Sequence, residues 1–84
     1  MFNLTVAPNP NNGNFYIMNN YDQTIRGNLV IWSITGRKIY EENYIYLNAF
    51  EKKYISLPNL SIGLYLLSYS NYISSEKIVF SILN

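Results

Sequence analysis

GLYLLSYSNYISSEKIVFSI, residues 63–82, decides the fold. Its first half alternates, placing Tyr65, Leu67 and Tyr69 on one face of a strand that begins at Gly63. After a turn around Asn71, its second half aligns Ile78, Phe80 and Ile82. Period-two alternation on both sides of a turn predicts a β-hairpin with one buried face.

The same pattern recurs toward the N-terminus. In FNLTV, Phe2, Leu4 and Val6 share a face, and in NFYIM so do Phe15 and Ile17. NLVIWSI is apolar on both sides, with Leu29 and Ile31 opposite Val30, Trp32 and Ile34, and is expected to be the most central strand. Gly36 supplies a positive φ for a tight turn from Ile34 to Arg37, and TGRKIYEE then returns as a strand. YIYL and KKYISL read as two further short strands with a loop near Asn48 between them, the second ended by Pro58 and Asn59. NYDQTIRG, the one polar stretch of helical length, ends in glycine. The expected fold is a single all-β domain over residues 1–84, a small Ig-like antiparallel β-sandwich of about seven strands.

Composition agrees. Tyrosine accounts for nine of the 84 residues, aromatics for 17% and charged residues for only 13%. Tyrosine and β-branched residues suit a pleated, half-buried surface. A chain of this length hides roughly 60–65% of its unfolded surface, enough for one thin core.

Several function classes are disfavoured by what the chain lacks. With a net charge of +1, and Arg37-Lys38 and Lys52-Lys53 as the basic pairs, it has no electrostatic footprint for nucleic acid. Cysteine and histidine are both absent, which excludes disulfides, thiolate metal sites and a Ser-His-Asp triad. The carboxylates Asp22, Glu41, Glu42, Glu51 and Glu76 read as turn and edge charges, and the amide-rich NNYDQT offers a metal one carboxylate. No catalytic, metal or cofactor site is expected. Tyr40, Tyr44, Tyr46, Tyr54, Tyr65, Tyr69 and Tyr72 are numerous enough for a carbohydrate platform, since rings stack on sugar faces. No apolar run is long enough to span a bilayer and the N-terminus is not a signal peptide, so any export signal is expected upstream on a longer protein, of which this domain is an excised piece.

Within LTVAPNPNNGNFYI, residues 8–13 place two prolines, three asparagines and a glycine in one loop, which reads as a rigid corner. Asn9, Asn11 and Asn12 are expected to accept local turn hydrogen bonds, and Gly13 to allow the reversal into the next strand. This loop combines with LVIWSITGRKIYEE, YISLPNLSIGLYLLSY and EKIVFSI in that order. Together they resemble the C-terminal sorting domain of the type IX (Por) secretion system, type A family. The motif positions are Pro8, Asn9, Pro10 and Gly13; Gly36 and Arg37; Gly63 and Tyr65; and Lys77. Ala7 and Ser33 stand where the family usually has an aromatic residue and an aspartate.

The resemblance implies an address. Such a domain directs an N-terminal passenger, in transit through the periplasm, across the outer membrane to the cell surface or medium. Implied partners are the outer-membrane translocon and shuttle proteins, and a cell-surface sortase that usually removes the domain as the passenger is joined to lipopolysaccharide. The expected recognition element is the terminal hairpin, with Tyr65, Leu67, Tyr69, Lys77, Ile78, Val79 and Phe80, whose last strand offers an edge for strand addition or for an edge-strand dimer. The alternative is an accessory β-sandwich that binds carbohydrate or a surface protein.

Overall fold

The computed structural model describes residues 3–83. Phe2 lies outside them. Seven strands form: β1 (Leu4–Ala7), β2 (Asn14–Asn19), β3 (Ile25–Ser33), β4 (Lys38–Leu47), β5 (Lys52–Ser56), β6 (Gly63–Ser70) and β7 (Ser75–Ile82). They make two antiparallel sheets, ordered β1-β2-β5 and β4-β3-β6-β7. This is an Ig-like sandwich in which the fourth strand lies on the sheet of the third, sixth and seventh. Among the described residues there is no helix.

Alternation places the core. Leu4, Val6, Phe15, Ile17 and Ile55 face inward from one sheet, and Leu29, Ile31, Tyr65, Leu67, Tyr69, Phe80 and Ile82 from the other. The Phe80 ring joins the layers, 5.0 Å from Phe15 and 5.9 Å from Tyr65. Buried tyrosine hydroxyls need partners. Tyr69 donates to the carbonyl of Ile45 at 2.8 Å, and Tyr65 to that of Ser61 at 2.6 Å. The Tyr65 bond, reaching back four residues from the start of the sixth strand, has the geometry of the tyrosine corner of Ig-like domains. It gives the Gly-x-Tyr motif a structural purpose.

Three expectations need correction. YIYL is not a separate strand: KIYEE and YIYL are one β4, bent at a bulge where Gly27 pairs with Ile45 but Leu29 with Glu42. Tyr44 adopts φ +58° there, and its N–H donates to the Asn28 side chain at 2.9 Å. The acidic run that reads as a strand end is thus the middle of one. Ile34 does not continue the apolar face of β3; it stands exposed in the turn, where Gly36 has φ +95°. Val30 and Trp32 are half-buried, so β3 is central within its sheet but covered on one face only.

Candidate recognition surface

Two sheets have four edges, and the sandwich treats them differently. On one side β4 and β5 are tied by Lys53, whose ammonium lies 3.3 Å from Glu42. Tyr40 donates its hydroxyl proton to the same carboxylate. That hydrogen bond, with Lys53 adding to it, holds Glu42 below the usual carboxylate range against the effect of burial. Reciprocally, Tyr40 is pushed up to about 12, mainly by the bond it donates and further by burial and the carboxylate charge. Glu42 is therefore a clasp, where the sequence suggests a solvated strand end.

On the other side the β1 segment runs beside β7. Near the start, the Leu4 N–H donates to the Glu76 carboxylate at 3.1 Å. Near the end, the proline-asparagine loop closes over the edge. The Ser81 N–H donates to the Asn9 side-chain oxygen at 2.9 Å, the Asn11 N–H to the Ser81 carbonyl at 3.0 Å, and the Leu83 N–H to the Asn11 carbonyl at 2.7 Å. Asn11 and Ile82 form a parallel bridge. The expectation of local turn bonds holds for the side-chain oxygens of Asn11 and Asn12, which accept from the N–H groups of Gly13 and Asn14, but not for that of Asn9. Gly13 completes the corner with φ +101°, and a Cβ there would lie 2.5 Å from the Leu57 carbonyl oxygen. Glycine is required by the approach of two backbones as well as by φ.

A strand's backbone groups alternate sides, so Lys77 and Val79 turn theirs the same way as Ser81. Among the described residues no strand pairs with them. Between the Glu76 and Asn9 contacts, a short stretch of β7 edge is open.

That stretch borders an apolar area on the outer face of the four-stranded sheet. Register aligns Trp32 of β3, Leu66 of β6 and Val79 of β7 in one row. Leu64 lies beside it, with its carbonyl accepting from the Ile34 N–H at 3.1 Å. Leu64 is 47% exposed and Val79 52%, which is high for apolar residues on sheet strands. Basic side chains border the area: exposed Lys77 and Arg37, and Lys38, which pairs with Glu41 at 3.0 Å.

The hairpin residues named from sequence thus divide. Tyr65, Leu67, Tyr69 and Phe80 are buried and hold the two sheets together. Lys77 and Val79 are presented outward, and Ile78 is half-buried against the core. Sequence reasoning missed Trp32, Leu64 and Leu66 as surface, although their place opposite the buried alternation marks them. Of the tyrosines proposed as a platform, Tyr65 and Tyr69 are interior and Tyr40 half-buried, while Tyr44, Tyr46, Tyr54 and Tyr72 are exposed. No cluster of three or more metal-ligating side chains occurs among the described residues.

A family model described as the secretion system C-terminal sorting domain matches residues 5–81 of the chain. No curated protein matches it.

Proposed function

The chain belongs to the C-terminal sorting domains of the type IX secretion system, and from that premise we propose that the machinery reads it through the open edge of β7 and the apolar outer face beside it. As a sorting signal it directs a passenger protein to the secretion machinery and across the outer membrane. Its role in this reading is recognition, with no catalytic residue of its own.

One observation carries the proposal: the unpaired backbone of Lys77 and Val79 is continuous with the Trp32–Leu66–Val79 row. Main-chain groups there would bond an extended segment of the receptor, and the apolar row would bury that segment's side chains. Lys77, Arg37 and Lys38 favour an acidic rim on the receptor. The receptor in this reading is the outer-membrane translocon or a shuttle protein attached to it. Removal by a sortase at the cell surface, with transfer of the passenger to lipopolysaccharide, follows as the last step.

A transplant tests it. The chain is fused to a fluorescent reporter exported to the periplasm of a host with the type IX machinery, and surface exposure is read by protease accessibility. Delivery that disappears in a translocon mutant is expected. Retention of a folded fusion in the periplasm overturns the assignment.

A further inference from the structure

We propose that the cleft between the β4 bulge and the β6–β7 turn binds a saccharide, with preference for one carrying a carboxylate. This cleft, of about 670 Å³, lies on the outer face of the four-stranded sheet, at the opposite end from the Trp32–Leu66–Val79 row. Tyr44, Tyr46 and Tyr72 line it together with Arg26, Asn28 and Asn71.

Two of these rings are held out in water. Tyr44 is 89% exposed and Tyr72 fully so. An exposed tyrosine alone needs no explanation, but the backbone under both is fixed. Tyr44 has φ +58°, uncommon for a bulky residue, and is kept there by the bulge and by the Asn28 oxygen on its N–H. Tyr72 sits in a turn built by Asn71, whose side-chain oxygen accepts the N–H groups of Ile73 and Ser74. The Asn71 amide also donates to the Arg26 carbonyl at 2.8 Å, tying that turn to β3. With that backbone already ordered, stacking a ligand on the rings costs side-chain freedom but no loop ordering.

The polar groups suit the same ligand. The Arg26 guanidinium lies over the Tyr46 ring, 5.1 Å from its centroid. Among the described residues it has no carboxylate within ion-pairing distance, and no acidic side chain lines the cleft. Arginine donors beside tyrosine faces match a sugar ring, which has an apolar face, hydroxyls at its rim and, in a uronic acid, a carboxylate for the guanidinium.

The test is titration of the 84-residue chain, by calorimetry, with oligogalacturonate, with a neutral glucan oligomer and with a polyproline peptide. Saturable binding of oligogalacturonate, stronger than of the glucan, is expected. Tyr72→Ala should weaken it about five- to tenfold. Tyr44→Asn, which keeps a residue tolerant of positive φ, should do the same with the thermal midpoint unchanged. Arg26→Ala should abolish the preference for the acidic sugar. Absence of saturable binding at millimolar saccharide, binding unaffected by the tyrosine substitutions, or binding of the peptide alone overturns the proposal. The titration needs no secretion machinery, so its failure and that of the recognition surface are separable.

Discussion

The side-chain oxygen of Asn9 accepts the backbone N–H of Ser81 at 2.9 Å, across 72 positions of sequence. This bond fastens the segment after β1 onto the free edge of β7, and it sets how much of that edge another chain can reach. Edge strands left open are templates for pairing, and folded proteins limit them. Here the limit is local: Ser81 is covered, whereas Lys77 and Val79 are not.

Asn9→Ala should therefore cost little stability, about 0.5–1 kcal/mol, while lengthening the open edge. Self-association measured by sedimentation velocity should rise. An unchanged sedimentation profile would show that Asn9 does not guard the edge.

Proline scanning of β7 separates recognition from folding. Val79 points its N–H away from β6, so Val79→Pro sacrifices no ladder bond within the sheet. The Ile78 N–H faces β6 opposite Leu67, so Ile78→Pro should unfold the hairpin. Val79→Pro should keep a folded circular-dichroism spectrum yet lose surface delivery of a fused reporter. Normal delivery by this variant would refute edge pairing.

Gly13→Ala should destabilise by about 2–3 kcal/mol, because it combines a positive φ with a backbone clash at Leu57. Urea unfolding measures it. A value within error of zero would mean that the corner can shift without loss.

The two tyrosines with raised pKa values define an alkaline limit. Burial pushes Tyr69 up to about 12, and the bond to Glu42 does the same for Tyr40. Both groups ionise near 10 when unfolded. Their contribution to stability is fully present below pH 10 and is lost as pH rises toward 12. Tyrosinate absorbance from these two should appear together with loss of near-ultraviolet circular dichroism, and Tyr40→Phe should remove part of the alkaline dependence. At the acid end Glu42 has the opposite sign: its stabilisation is present above its unfolded value and fades as pH falls through the lowered one.

Much of this could be read from residue order alone. Alternation at Leu4 and Val6, at Phe15 and Ile17, and through Tyr65, Leu67 and Tyr69 located strands and inward faces correctly. The inward set nevertheless falls within the recognition hairpin expected from sequence, because period two separates the faces of a strand without saying which one a receptor would meet. The β4 bulge is not legible in the sequence because Glu41, Glu42 and Asn43 look like a strand end, and only pairing with β3 shows the chain continuing through them. Asn9 reads as a local turn residue because nothing in its neighbourhood points to Ser81. Contacts between distant segments are set by sheet order, which local spacing does not encode.

The loop at residues 9–11 grips residues 81–83, so the domain's opening segment is set only once its last strand exists. A chain that stops before Phe80, or loses its end to a protease, lacks the residues that Asn9 and Asn11 grip and the end of the β7 edge. In the proposed reading, the recognition surface would therefore be complete only in a domain that keeps its seventh strand.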